Sequence, residues 1–200
     1  EREVVLLIVE GKLAMTPHPA IFGNKLKNPY ITTDFSESQV EVVTPAYDTV
    51  PKTYAVLEGL CDIVNNEIGD EYFWPQSMPC DIPEDERIPI AVYEGEEDAE
   101  AAMAYRKGLI ERYGGKKQLI SGIHFNFSFT ERFIDKLHDA VAPEKPRKDF
   151  KDGVYLKLVR NYLRYRWMVI YLLGCSSALH KSYGPECCLL YTSDAADEED

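Results

Sequence analysis

Acidic side chains recur at alternate positions in separated segments of this chain, and that spacing can do chemistry. Residues 31–45, ITTDFSESQVEVVTP, read as an extended strand would line Glu37, Gln39 and Glu41 on one face and Val40 and Val42 on the other, because successive strand side chains point to opposite sides. The same alternation sets Glu1 beside Glu3, and in SGIHFNFS and the residue after it separates His124, Asn126 and Ser128 from Ile123, Phe125, Phe127 and Phe129. Each segment offers an apolar side for a core and a side carrying carboxylates or an imidazole. Carboxylates crowded on one face repel each other unless cations hold them, and oxygen-rich clusters suit Mg²⁺ or Mn²⁺.

Positioning such faces requires strands braced by helices. Residues 49–68 place Val56, Leu60, Ile63 and Val64 on one helical face, with Gly69 a natural stop. Residues 96–113 begin with acids suited to a helix amino terminus, carry Ala99, Met103, Arg106, Ile110 and Tyr113 on one side, and end at Gly114-Gly115. A third helix is expected over residues 150–173, with Arg160, Arg164 and Arg166 as a solvated face. Proline-rich acidic loops are expected at residues 75–89 and 143–151.

Bulk properties narrow the partners. The chain has 200 residues, 45% hydrophobic and 28% charged, enough for one sizeable core. A net charge of −12 argues against nucleic-acid and anionic-membrane surfaces, which need basic patches. Cys61, Cys80, Cys175, Cys187 and Cys188 form an odd set with no CxxC pair, which points to a reducing compartment, and a cytoplasmic location is expected. The apolar run 167–179 is too short to span a bilayer and reads as a core helix end or buried loop.

The motifs ERE, GKLAMTPHPAIFG, TTDFSESQVE, FWPQSMPC, YRKGLIERYGG, LISGIHFNFS and VRNYLRYRW, in that order, resemble the amino-terminal part of bacterial glutamate-cysteine ligase over about 185 residues. The resemblance implies an α+β fold: a truncated catalytic domain of the glutamine synthetase type, with a largely antiparallel sheet lined by metal ligands and packed with helices. It implies ATP-dependent ligation of glutamate, through its γ-carboxylate, to cysteine via a γ-glutamyl phosphate. Glutamate, cysteine and ATP are then the partners, and Mg²⁺ or Mn²⁺ the cofactor. By the same resemblance Glu1, Glu3, Asp34, Glu41 and His124 are metal-ligand candidates, with Glu37 either a ligand or a neighbour of one. Phe35, Tyr105 and Arg106 resemble positions that shape the cysteine pocket, and Gln118 and Asn126 positions near glutamate.

Plainer readings stand beside these. Acids on a strand are usually solvent-facing, Tyr105 fits an ordinary core, and Arg106 could pair with Glu100 or Glu111 on its helix. His18, His138 and His180 have no partner cluster and read as structural. Residues 4–9, VVLLIV, depart from the more polar family pattern, in which an arginine is expected at Leu6. The tail CLLYTSDAADE resembles a translated transposon-end adapter, so the expected organisation is a partial ligase domain over 1–187 and a foreign, disordered tail over 188–200. A stand-alone ligase, the front half of a fused glutathione synthetase, and a fragment inactive by itself all remain open.

Overall fold

Arg2–Val9 forms the strand, β1, around which the sheet is built. The computed structural model describes residues 2–78, 81–95, 97–174 and 180–183, leaving aside the side chains of residues 2–6 and 97. β1 turns back through Glu10 and Gly11, both at positive φ, into β2, Lys12–Leu13. It also pairs antiparallel with β4 (Gln39–Val43), β5 (Tyr72–Trp74) and β6 (Ile123–His124), while β3 (Ile31–Thr33) pairs with β4. These ladders are antiparallel, with one isolated parallel bridge between Lys12 and Asp81, so the mixed, largely antiparallel α+β expectation holds at that level.

The apolar alternation of β4 decides which side packs. Val40 and Val42 are fully buried and join Leu7, Ala14 and Ile31 against α1, Val50–Glu67. That helix contributes Leu57, Val64 and the following Ile68, with Leu60 and Cys61 partly buried. The buried stripe is rotated from the expected one, and Ile63 is exposed, because Leu57, Leu60, Cys61, Val64 and Ile68 follow the i, i+3, i+4, i+7 spacing more closely. Gly69, at φ +64°, supplies the left-handed turn that ends the helix.

On the other side of β4, Gln39 is buried and its amide nitrogen donates to the Gln118 carbonyl and to Ser121 Oγ at 3.0 and 3.2 Å. Gln118 ends α3, Gly115–Gln118, which follows α2, Glu97–Tyr113. A second core of Leu13, Phe35, Ile82, Ile88, Leu119 and Tyr183 fills the space beside these elements. Asp85 accepts from the Lys116 amide at 2.9 Å at the start of α3.

The described residues divide into two compact units: one runs to Phe125 and includes 180–183, the other begins at Asn126. In the second, α4 (Glu131–Val141) and α5 (Arg147–Leu173) bury Ile134, Ala142 and Phe150. The sequence reading missed α4, although Thr130 caps it by accepting from the Phe133 amide and Ile134 and Leu137 repeat at helical spacing. Residues 147–151, within the expected loop, instead open α5. There Arg147 bonds Asp135 and Glu131 while Lys151 bonds Glu131, which fastens the first turn of α5 to α4. His138 serves the same unit structurally, with Nε2 2.8 Å from the Lys145 carbonyl and its ring 5.2 Å from Phe150.

Three further expectations are corrected. Residues 31–45 are not one strand: the turn at Asp34–Ser38 separates β3 from β4, and Glu37 sits in that turn, off the face of Gln39 and Glu41. Serine and aspartate favour such turns through local hydrogen bonds. SGIHFNFS contributes only the two residues of β6, and Ile123, Phe125 and Phe127 are exposed rather than a core side. Trp167–Leu173 is helical but not a buried end, with Trp167 62% and Tyr171 81% exposed. Among the described residues no helix is long and apolar enough to cross a membrane. Cys80, Cys175, Cys187, Cys188 and the expected foreign tail lie outside them; Cys61 is half-buried.

Candidate functional site

The β3–β4 turn is the most heavily tied part of the expected site. Asp34 donates its amide to the Gln39 carbonyl at 3.1 Å, Glu37 donates to the Pro89 carbonyl at 2.8 Å, and Ala91 donates to the Phe35 carbonyl at 2.9 Å. Ser36 and Ser38 are 2.8 Å apart at their hydroxyls, and Ser36 also donates to the Pro89 carbonyl. The turn is therefore sewn to residues 89–91.

Glu37 is an internal clasp. Its carboxylate accepts from the His18 amide at 2.7 Å, the Val92 amide at 2.6 Å and the Lys25 ammonium at 2.5 Å. Burial by itself raises its pKa, but Lys25 and the amides of Val92 and His18 together hold it below the ordinary carboxylate range. A carboxylate so occupied organises the loop. Beside it, burial first and the Lys25 charge second push the His18 imidazole from 6.5 to about 4, with Glu37 pulling the other way.

Arg106, on α2, reaches the same turn. Its Nε donates to the Asp34 carbonyl at 2.8 Å, Nη2 donates to that same oxygen, and Nη1 donates to the Ala102 carbonyl at 3.0 Å. The guanidinium lies 4.5 Å from the centre of the Tyr93 ring. Tyr93 is buried, and its hydroxyl hydrogen is shared between the Thr33 and Asp34 carbonyls at 3.1 and 3.2 Å. Burial raises the Tyr93 hydroxyl to about 12 against the opposing Arg106 charge, so it stays a donor. The sequence reading singled out Arg106 but not Tyr93, which no pattern in IAVYEGE distinguishes from an ordinary core tyrosine.

The sheet register places the remaining candidates. Glu41 stands opposite Val4 on one side and Thr32 on the other, and His124 stands opposite Arg2. Arg2 and Val4 are two residues apart on β1, so Glu41 and His124 share one side of the sheet. Glu3 is in register with Val42 and Ile123, at the alternate pleat position from Val4. Glu1 and the Glu3 side chain lie outside the described residues. Phe35 is buried in the second core, Tyr105 is exposed on α2, and Gln118 is half-buried with its carbonyl bound to Gln39. Asn126 is an exposed residue of the second unit.

Among the described residues no three His, Cys, Asp or Glu side chains come together to hold a metal ion. Asp34, Glu41 and His124 therefore do not by themselves form the expected ligand set.

Comparisons with known proteins bear on most of the chain. A family model described as glutamate-cysteine ligase matches residues 1–194. A bifunctional glutathione biosynthesis protein of Desulfotalea psychrophila is 48% identical over 188 residues, covering 94% of this chain and 24% of that protein. A glutamate–cysteine ligase of Clostridium acetobutylicum is 45% identical over 183 residues, covering 92% of this chain and 38% of its own length. A crystal structure of glutamate–cysteine ligase from Francisella tularensis in complex with AMP superposes with a TM-score of 0.81 at 32% identity, covering 90% of this chain and 35% of that one. The chain spans well under half of these relatives.

Proposed function

Because the chain belongs to the glutamate-cysteine ligase family, we propose that a polypeptide of its relatives' length carrying this chain joins glutamate to cysteine at the expense of ATP, the first step of glutathione synthesis. A γ-carboxylate oxygen of glutamate attacks the terminal phosphorus of ATP and ADP leaves; the cysteine amine then attacks the acyl phosphate, losing a proton, and inorganic phosphate departs. Phosphoryl transfer of this kind depends on positioning and on neutralising charge, and it needs no nucleophilic triad. The family match over residues 1–194 carries the reading. The AMP held by the Francisella tularensis relative supports an adenine nucleotide as substrate.

Within this chain Glu41 and His124, on one side of the sheet, and Asp34, in the clamped turn, are the proposed site groups. Tyr105 and Gln118 stay in that proposal for substrate, whereas Glu3, at the alternate pleat position from Val4, does not share the side of Glu41 and His124. Mg²⁺ or Mn²⁺ is the ion such acids suit, but the described donors do not by themselves assemble a three-ligand site. The glutamine synthetase-type domain and a cytoplasmic location belong to the same reading. Both fused and stand-alone relatives exist, so either setting accommodates this chain.

The test is formation of γ-glutamylcysteine from glutamate, cysteine and ATP. A polypeptide of the relatives' length should be active and its Glu41→Gln variant should lose at least about a hundredfold, the scale for removing one preorganised charge from a phosphoryl-transfer site. The 200-residue chain alone should be inactive. Full activity in Glu41→Gln would remove that residue from the site.

A further inference from the structure

Three donors converge on one backbone oxygen. The Asp34 carbonyl accepts from Arg106 Nε, from Arg106 Nη2 and from the Tyr93 hydroxyl, while the Arg106 guanidinium lies over the Tyr93 ring. A carbonyl has two lone pairs, so three donors aimed at it leave little freedom for the turn that bears the Asp34 side chain. The arrangement is anchored at both ends. Arg106 is fixed to its own helix through the Ala102 carbonyl, and Tyr93 is buried and bridges to the Thr33 carbonyl as well. From the opposite side the Glu37 clasp ties the same turn to Lys25 and to the amides of His18 and Val92. Val92 precedes Tyr93, so a single short segment holds the turn from two directions.

Resemblance alone would make Arg106 a substrate contact, yet three of its five N–H groups are directed at protein carbonyls, those of Asp34 and Ala102. We infer, on the ligase reading of this site, that Arg106 and Tyr93 are positioning residues that fix Asp34 through its carbonyl, and that Arg106 acts on the reaction by holding this turn and not by binding the amino-acid substrate. Tyr93 is the new member of that pair. Its ring supports the guanidinium, and its hydroxyl shares the guanidinium's target.

The experiment has a structural arm and a kinetic arm. Hydrogen exchange is measured on the 200-residue chain and on its Tyr93→Phe, Arg106→Lys and double variants, reading the amides of Asp34, Glu37 and Gln39, with amides of α1 as internal control. Tyr93→Phe keeps the ring and removes one donor; Arg106→Lys keeps the charge and removes the fork. Each should speed exchange in the turn by about five- to tenfold, the scale for losing one net hydrogen bond, and leave α1 unchanged. The double variant should be barely worse than the more severe single, because both donors act on one oxygen. In a polypeptide of the relatives' length, both single variants should lower kcat while the KM for cysteine and for glutamate stays within about twofold.

A rise in the cysteine or glutamate KM of more than about tenfold in Arg106→Lys, with Tyr93→Phe leaving both KM and the turn's exchange unchanged, overturns the inference and makes Arg106 a substrate contact. Unchanged exchange in every variant overturns it as well. Should the longer polypeptide make no γ-glutamylcysteine, the ligase reading falls, and the exchange arm still decides whether the clamp exists.

Discussion

Acid should destabilise this chain well before its carboxylates protonate, and His18 is the cause. The residue is only 6% exposed, its ring is 5.6 Å from Phe22, Nδ1 is 3.4 Å from Thr33 Oγ1, and buried Nε2 has no hydrogen-bond partner among the described residues. Burial and the Lys25 charge lower its pKa from 6.5 to about 4. A histidine depressed on folding binds its proton more readily when unfolded, so stability is complete above pH 6.5 and is lost as pH falls towards 4. At about 1.36 kcal/mol per pKa unit, linkage gives a loss of about 2 kcal/mol by pH 5 and about 3 kcal/mol by pH 4. Glu37, whose pKa is lowered on folding, adds a loss in the same direction, but only as pH falls below its unfolded value of 4.5. The window between 6.5 and 5 therefore isolates the histidine. Urea unfolding midpoints of the chain and of His18→Phe, measured from pH 8 to pH 4, make the test. Phenylalanine keeps a ring beside Phe22 and removes the unsatisfied nitrogen, so the variant should show a flat profile down to pH 5. An equal loss between pH 7 and pH 5 in both proteins refutes the assignment, and His18→Gln guards against a packing defect from the larger ring.

Other perturbations test the frame around the site. Leu7→Ala, at a residue 1% exposed where β1 meets α1, should lower unfolding free energy by about 2–5 kcal/mol in denaturant titration. Gly114→Ala should cost about 1–2 kcal/mol, because the residue sits at φ +82° and a Cβ would lie 3.2 Å from Asp85 Oδ2. The Glu131 carboxyl, held by Lys151 and then Arg147, should titrate at about 2 by NMR and move upward in Lys151→Gln. If the proposed acids hold a divalent ion, Mg²⁺ or Mn²⁺ should raise the Tm of a polypeptide of the relatives' length, and Glu41→Gln should remove the shift; no shift in either returns Glu41 and His124 to ordinary surface chemistry.

The sequence shows regular elements more readily than the contacts that shape the site. The helix over 96–113 was legible because Ala99, Met103, Arg106, Ile110 and Tyr113 keep one face and Gly114 ends it, and α2 has that face turned inward. The alternation of Val40 and Val42 against Gln39 and Glu41 was legible for the same reason. Glu37 was misplaced because period-two counting cannot tell a strand from a hairpin whose turn begins within the pattern, and the Ser36 and Ser38 hydroxyls that close this turn carry no periodic signal. Tyr93 and Lys25 were invisible because their importance lies in partners 59 and 12 residues away. The apolar run from residue 167 reads in the sequence as a core helix end or buried loop, yet Trp167, Ile170, Leu172 and Leu173 are all exposed.

The central place of β1 in the sheet has a consequence for synthesis. Its residues leave the ribosome before those of every strand it pairs with, since its partners come from β2, β4, β5 and finally β6, whose pairing with Arg2 and Glu3 spans more than a hundred residues. Until residue 124 has emerged, the run VVLLIV at 4–9 lacks part of its ladder. A short, apolar, uncharged, β-branched segment in that condition suits intermolecular pairing. Nascent chains stalled between residues 45 and 120 should therefore recruit holdase chaperones at this amino-terminal segment, and chains released past residue 125 should shed them.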